Sequence, residues 1–201
     1  MQRFIPSEFG INTTNLSGGV AKILGFKVKT QEQLKRATSE NPNFSWTGVS
    51  TSLFFDWGLK KGSLAVSIPT KTATIYDSGD EKFTATNLPT IGLAVAAILK
   101  DPAGTKNRYL DIASFTTTQN EILGILEEET GEKWTVKRAT TEDSERVADE
   151  KLEKGDYSAF GDYLKVFLFR DGKGGSPKRL ANEELGLGNE DLRKTIKAAL
   201  G

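Results

Sequence analysis

The hydrophobic pattern at the start of the chain predicts a strand, a helix and a second strand. Residues 3–5 have the pattern of the end of a buried strand, which Pro6 stops because proline has no backbone N–H to donate. Residues 17–39 carry apolar positions at helical spacing, whereas residues 44–50 alternate between apolar and polar positions as a strand does. This order predicts an α/β chain with two parallel strands, and sheets of this kind bind ligands at their carboxyl edge.

The rest of the chain carries further strand and helix signals. A turn at 77–80 that contains glycine lies between two apolar runs and predicts a hairpin over 72–86. Thr118 and Glu121 have the spacing of a capping box, at the start of a helix that Gly131 ends. The other predicted elements are a helix opened by Thr86 or Asn87, a strand at 108–113, a short strand at 134–136, two helices after Thr141 that divide at Gly155, and a final helix over 187–200.

The composition narrows the chemistry. The chain has 201 residues, and its 27 Lys and Arg balance its 27 Asp and Glu, so no excess of positive charge indicates a nucleic-acid or membrane partner. Cysteine and histidine are absent, which excludes thiol chemistry, Ser-His-Asp catalysis and the usual zinc ligands and leaves acid–base work to Lys, Tyr, Asp or Glu. Without a long apolar run or a signal pattern, we expect a cytoplasmic protein with no metal site.

Lys27 has an unusual place in the predicted helix. It falls on one row with Val20 and Leu34 at seven-residue spacing, whereas Lys29 lies roughly 200° round the helix. A lysine on an apolar row commonly lays its stem along the core and extends its amine to water. The other interpretation is an amine that points into a cleft, where desolvation lowers its pKa and makes it a base or a proton donor. The pattern alone leaves both interpretations open.

Two stretches of the chain resemble one protein family. Residues 3–10 read Arg-Phe-Ile-Pro-Ser-Glu-Phe-Gly, and residues 51–58 read Thr-Ser-Leu-Phe-Phe-Asp-Trp-Gly. Both are similar to stretches of the isoflavone-reductase-like and NmrA-like proteins, which are atypical short-chain dehydrogenases/reductases, and the second is most similar to their fungal branch. The resemblance implies an α/β fold made of the C-terminal part of an NAD(P)-binding Rossmann-type fold plus a mixed α/β substrate-binding lobe.

The resemblance also implies a site. The reductases of this family place a catalytic lysine in this helix, seven positions before an aliphatic residue, and Lys27 and Leu34 match that spacing. The helix departs from the plant enzymes at Gln31 and Glu32, where those have arginine. The nicotinamide end of the cofactor would be bound by residues that follow the first two strands: Pro6, Ser7, Phe9, Thr51 and Phe54.

Several aromatic residues have two interpretations. Phe55 and Trp57 are expected in the core, whereas Phe54 fits the core and the site equally well. An aromatic stripe runs at helical spacing over residues 157–168 and is more often core than site. The resemblance nevertheless implies that the C-terminal helices cap the substrate cleft, so this stripe is a candidate for its wall.

The nucleotide-binding signature is missing from the sequence. A dinucleotide site needs a glycine-rich turn between a strand and a helix, and no Gly-x-Gly-x-x-Gly pattern occurs. In the family this turn precedes the Pro-Ser-Glu-Phe-Gly stretch. The resemblance therefore implies a truncated chain, with residues 1–58 as a residual Rossmann-type portion and 59–201 as the substrate-binding lobe of one NmrA-like domain. We expect NADP as the cofactor of the complete protein, and negligible NADPH affinity for this chain alone.

These observations lead to one main hypothesis and two alternatives. The main hypothesis is an NADPH-dependent oxidoreductase that reduces a small aromatic or conjugated substrate. The first alternative is an NmrA-type regulator, which senses the dinucleotide without catalysis and acts through a protein partner, and the second is an inactive fragment. Lys27 and its spacing favour the enzyme.

Overall fold

The computed structural model describes residues 3–14 and 16–201 and confirms the α/β fold class. The strands are β1 (Arg3–Phe4), β2 (Ser45–Ser50), β3 (Leu53–Phe54), β4 (Val66–Ser67), β5 (Thr72–Tyr76), β6 (Phe83–Thr86), β7 (Arg108–Asp111), β8 (Phe115–Thr117) and β9 (Thr135–Ala139). The helices are α1 (Gly18–Glu40), α2 (Phe55–Lys61), α3 (Leu88–Lys100), α4 (Gln119–Thr130), α5 (Thr141–Glu153), α6 (Ala159–Phe169) and α7 (Leu192–Leu200).

The first sheet is parallel and has the strand order β1-β2-β7, with Arg3 paired to Ser45. The sequence predicts all three strands, but it predicts only β1 and β2 as parallel neighbours. The parallel pairing of β7 with β2 therefore corrects the predicted number of strands in this sheet. Asn107 fixes β7 beside β2, because its backbone N–H donates to the Trp46 carbonyl at 2.7 Å and its side-chain oxygen accepts from the Trp46 N–H at 3.2 Å. The carboxyl ends of the three strands therefore meet at one edge.

Two further sheets have the orders β3-β6-β8 and β4-β5-β9, so β5 and β6 lie in different sheets and the predicted hairpin over 72–86 is wrong. The predicted turn is present, since Gly79 has a φ of 79° and its N–H donates to the Tyr76 carbonyl at 2.9 Å. Asp77, however, continues the pairing of β5 with β9 through a 3.0 Å bond to the Ala139 carbonyl. The chain thus leaves one sheet at this turn and enters another.

Helix α1 buries the apolar row that the sequence predicts. Val20, Leu24 and Leu34 are buried, and Lys29 on the opposite side is exposed. Near its start α1 passes close to α6, because a Cβ atom added at Gly19 would lie 1.8 Å from the Tyr163 ring. This close approach makes α1 and α6 neighbouring walls of the region beyond the carboxyl edge of the parallel sheet.

Most helix boundaries agree with the sequence signals. Thr118 caps α4 as predicted, since its hydroxyl accepts from the Glu121 N–H at 3.0 Å. The final helix is shorter than predicted and begins at Leu192, because the carboxylate of Asp191 caps it by accepting from the Lys194 N–H at 3.0 Å. Within residues 3–14 and 16–201, no helix has the length and apolar character needed to cross a membrane.

Candidate functional site

The Lys27 side chain is half-buried and turns toward the loop that follows β1. Its Nζ donates a 2.6 Å hydrogen bond to the backbone carbonyl of Glu8. Burial lowers the pKa of the Lys27 amine below its ordinary value, and the negative charge of Glu8 offsets part of that decrease. An ammonium group has three donors, so the bond to Glu8 leaves two for a ligand. The interpretation of Lys27 as an amine directed into the fold therefore agrees with its position.

A buried hydrogen-bond network holds Glu8. Its side chain is 1% exposed, and its Oε2 accepts from the Thr13 hydroxyl at 2.6 Å and from the Tyr109 hydroxyl at 2.9 Å. The side-chain amide of Gln31 donates to Thr13 from the buried face of α1. Burial raises the pKa of Tyr109 far above its ordinary value, so this hydroxyl keeps its proton and donates. The network fixes the carbonyl to which Lys27 bonds.

The same loop is held at two more points. Asp111 lies two residues beyond Tyr109 on β7, so both side chains point to the same face. Its two carboxylate oxygens accept from the Asn12 amide at 2.8 and 2.9 Å, and burial raises the pKa of Asp111. The Gly10 carbonyl accepts from the N–H groups of Thr51 and Ser52, each at 2.9 Å. The loop is thus fixed to all three parallel strands or to the residues that follow them.

An apolar cavity of about 420 Å³ lies above this edge, and we call it the Lys27 cleft. It is lined by Phe9, Gly10, Ile11, Leu24, Lys27, Ser52, Leu53, Phe54, Trp57, Ser63, Phe160 and Leu164. Lys27 supplies the charged group of this lining, and the remaining polar groups are two serines and the indole of Trp57. An apolar cleft with few polar groups is the usual form of a small-molecule site. The arrangement suits a flat apolar ligand with one polar atom near the amine.

The structure brings together three of the predicted site residues, since Lys27, Phe9 and Phe54 all line the cleft. The others lie outside its lining. Ser7 is exposed, Pro6 is buried, and Thr51 is fully buried with its carbonyl accepting from the Thr86 hydroxyl at 2.5 Å. The catalytic and cofactor-binding roles of these residues stay predictions.

Two aromatic predictions have opposite outcomes. Phe55 is fully buried, with its ring edge-on to that of Phe115 at 5.1 Å, as expected of a core residue. Trp57 is 46% exposed and lines the cleft, so its placement in the core is wrong. Residues at 55 and 57 are about 200° apart on a helix, and α2 begins at Phe55, so they cannot share a buried face. From the aromatic stripe of α6, Phe160 and Leu164 reach the cleft.

Sequence reasoning missed the network that positions Lys27. Gln31 carries a usable signal, since it follows Lys27 by four positions on the helix face of Val20, Leu24 and Leu34, and a polar side chain there needs a buried partner. The bond between Glu8 and Tyr109 has no local signal, because the two residues lie 101 positions apart in the chain.

The lining of the cleft suits a flat ring, which would have apolar walls to pack against and an amine nearby. In the described ranges, 3–14 and 16–201, no strand leads through a glycine-rich turn into a helix, which is the arrangement that binds a pyrophosphate. The same ranges contain no cluster of acidic residues suited to a metal ion.

Comparisons with other sequences identify relatives. The NmrA-like family matches residues 1–161. Oxidoreductase poxI of Penicillium oxalicum is 38% identical over 157 residues, which are 77% of this chain and 50% of that protein. Oxidoreductase aprR of Aspergillus flavus is 32% identical over 203 residues, which cover 98% of this chain and 67% of that protein. These matches confirm the family resemblance. The chain spans about half the length of the first relative.

Solved structures share the fold at low sequence identity. A ternary complex of leucoanthocyanidin reductase from Vitis vinifera has a TM-score of 0.77 at 15% identity, over 100% of this chain and 69% of that one. Isoflavone reductase has a TM-score of 0.73 at 14% identity, over 98% and 64% of the two chains. At these identities the likeness concerns the fold, and it agrees with the Rossmann-type expectation.

Proposed function

Because the chain belongs to the NmrA-like family, we propose that it forms the substrate-binding part of an NADP(H)-dependent reductase of small aromatic or conjugated substrates. The observation that carries this proposal is the half-buried Lys27 amine beside an apolar, aromatic-lined cleft at the carboxyl edge of a parallel sheet. Relatives named oxidoreductases support the same class of activity. A cytoplasmic location belongs to this proposal, and a protein partner belongs only to the regulatory alternative.

Lys27 is the proposed catalytic residue. Bound NADPH would supply the hydride, and the residues of this chain would bind, orient and protonate the substrate. Phe9 and Phe54 would hold a flat ring by packing, with water excluded from the apolar walls. The Lys27 ammonium would hold a proton at Nζ for transfer to the substrate, and its lowered pKa makes that proton easier to release.

The cofactor assignment rests on relatives of the same fold. Solved structures include leucoanthocyanidin reductase with NADPH, triphenylmethane reductase of Citrobacter with NADP(H), and AtPrR2 with NADP+ and (+)pinoresinol. In this chain the nicotinamide end would lie against Phe9 and Phe54, with Pro6, Ser7 and Thr51 shaping the loops beneath.

The 201-residue chain should bind NADPH weakly by itself. The phosphates contribute strongly to dinucleotide binding, and the chain offers no glycine-rich cradle for them. Calorimetric titration of the chain with NADPH should give a dissociation constant weaker than about 1 mM, which corresponds to about −4 kcal/mol. A micromolar dissociation constant would contradict this prediction. It would mean that the chain binds the phosphates without a glycine-rich turn.

Phe54→Ala should weaken the binding of an aromatic ketone to the Lys27 cleft. Acetophenone is a suitable probe because it joins one ring to one carbonyl oxygen. Loss of an aromatic packing partner costs about 1 kcal/mol beyond the lost area, so the affinity should fall by roughly tenfold. Ligand-observed NMR titration of the chain measures this change.

The matched control for Phe54→Ala is Leu93→Ala. Leu93 is 60% exposed on α3 and lies outside the cleft, so its truncation removes a large apolar side chain without touching the proposed site. Equal affinities of the three proteins for acetophenone would contradict the assignment of the cleft as an aromatic-binding site.

A further inference from the structure

Helix α3 is apolar on both its inner and its outer side. Its 13 residues include a single charged side chain, Lys100, at the last position. The inner side packs on the parallel sheet, since Ala94 and Ile98 are buried in one cluster with Val49 of β2. A helix that is apolar all round is normally buried all round, because exposing apolar surface to water is unfavourable. The outer side of α3 therefore has the composition of a contact surface.

The outer side of α3 exposes a continuous apolar stripe. Leu88, Leu93 and Leu99 are 42%, 60% and 59% exposed, respectively. Gly92 and Ala96 are exposed between them, at spacings that place all five residues on one side of the helix. An exposed leucine by itself is ordinary, but a contiguous apolar patch is typical of a surface that contacts another molecule.

The middle of the stripe is flat, which suits the close approach of a second helix. Residue 94 is the midpoint of α3, and Gly92 and Ala96 lie two positions on either side of it. A Cβ atom added at Gly92 would meet nothing within 4 Å, so the space above the helix is open. Because the distance between packed helices depends on the side chains at the contact, small residues here let two helices lie close together. A twofold axis at the midpoint would place Gly92 against Ala96 of the partner subunit.

The two ends of α3 carry charges that favour an antiparallel pair of helices. Lys100 is exposed at the end of α3, and Asp56 lies at its start, where its Oδ1 accepts from the Leu88 N–H at 3.1 Å. Each has a neighbour of the opposite sign, since Asp101 follows Lys100 and Lys60 lies one helical turn beyond Asp56 on α2. In an antiparallel pair, the end of each helix faces the start of the other, so cations meet carboxylates at both ends. In a parallel pair, equal charges would face each other and repel.

We propose that the outer side of α3 is a dimer interface, at which two copies of this chain pack their α3 helices antiparallel about a twofold axis. The uncharged stripe covers itself, and the charges at the ends fix the orientation. This inference goes beyond the proposed function and does not depend on it, since α3 lies outside the Lys27 cleft. One pair of 13-residue helices is small beside the about 1,200 Å² that stable interfaces bury at least, so the dimer should be weak, with a dissociation constant of roughly 10–100 µM.

Sedimentation velocity of the full chain at roughly 5 to 500 µM measures the association, because this range spans the expected dissociation constant. Ala96→Glu should weaken the dimer by more than roughly tenfold, since it places two like charges at the centre of the interface, and Leu99→Glu should act in the same direction. Phe26→Glu is the matched control, because Phe26 is 61% exposed on α1, and this variant should associate like the wild type. Glutamate is a good helix former at exposed positions, so all three variants should fold, which circular dichroism checks.

Cross-linking tests the orientation of the two helices. The chain contains no cysteine, so Leu88→Cys and Leu99→Cys each introduce a single reactive thiol, one at either end of the stripe. In an antiparallel pair, position 88 lies near position 99 of the other copy, whereas equivalent positions are about 15–18 Å apart along the helix axes at a rise of about 1.5 Å per residue. A short bismaleimide should therefore cross-link a mixture of the two variants into mixed dimers and leave each variant alone largely uncross-linked.

The outcomes distinguish this dimer from other occupants of the stripe. A wild-type chain that stays monomeric at the highest concentration, or an Ala96→Glu protein that associates like the wild type, would overturn the proposal. So would assemblies that keep growing beyond a dimer, since these indicate a nonspecific apolar contact. If a fusion to the part of Oxidoreductase aprR that this chain does not match is monomeric while the chain alone dimerises, the rest of a complete protein covers α3 and the proposal is wrong. Leu93→Ala should weaken the dimer and leave acetophenone binding unchanged, which keeps this test separate from that of the cleft.

Discussion

Replacing Lys27 with methionine should lower the turnover of an aromatic ketone by roughly 10²–10⁴-fold, the usual contribution of one positioned acid–base group. Methionine keeps an unbranched apolar stem along α1 but deletes the amine that bonds to the Glu8 carbonyl. Stability should change by less than about 1 kcal/mol, because the substitution removes one hydrogen bond and one partly desolvated charge together. A loss of rate with retained stability would identify proton transfer as the function of Lys27.

The assay uses a fusion of this chain to the part of Oxidoreductase aprR that it does not match, and NADPH absorbance follows the reaction. If the ammonium form is the proton donor, the wild-type rate should fall as the pH rises through the pKa of Lys27, which burial lowers below its ordinary value. Lys27→Met should lack this decrease, because it has no group to titrate.

Lys29→Met is the matched control for this substitution. Lys29 lies two residues along the same helix and is exposed on its opposite side, so its replacement should alter neither rate nor stability. If Lys27→Met and Lys29→Met both turn over substrate at the wild-type rate, Lys27 is a core lysine that extends its amine to water. The regulatory alternative, in which the protein senses a dinucleotide and acts through a partner, would then be favoured over the enzyme.

Local periodicity predicts the elements that carry the site but not the pairing between distant strands. The 3.6-residue spacing of α1 is sufficient to direct Lys27 inward and Lys29 outward, because both follow from the helix alone. The turn at Gly79 is also visible in the sequence. The strand after that turn, β6, does not pair with β5. Instead β5 pairs with β9 and β6 pairs with β8, and both of these partners lie further along the chain, where a local pattern does not report them.

The wrong prediction for Trp57 and the missed network around Glu8 have different physical causes. Trp57 is apolar and lies close to a buried phenylalanine, so composition places it in the core, whereas the start of α2 turns it toward the cleft. Apolar side chains that remain partly exposed, as Trp57 does, often line binding sites. Glu8 accepts a hydrogen bond from Tyr109, 101 residues away, and no local pattern reports such a partner.

Glu8→Ala should destabilise the protein by about 2–5 kcal/mol. The carboxylate is almost fully buried, so its removal deletes the hydrogen bonds from Thr13 and Tyr109, worth about 1–3 kcal/mol each, and leaves a small cavity. The two hydroxyls lie 3.2 Å apart and can then bond to each other, which offsets part of the loss. Urea denaturation of the chain measures the change. Glu32→Ala is the control, since Glu32 is exposed on α1 and its truncation should stay within about 0.5 kcal/mol.

The same variant should alter Lys27 without touching its side chain. The negative charge of Glu8 raises the pKa of Lys27, so its removal should move that pKa further below the ordinary value, which NMR titration of the lysine amine can follow. Tyr109→Phe removes one donor but keeps the charge, and it should therefore cost less stability and leave the titration of Lys27 nearly unchanged. A Glu8→Ala protein with wild-type stability and an unshifted Lys27 would show that the buried network does not support the amine, and that Lys27 is positioned by α1 alone.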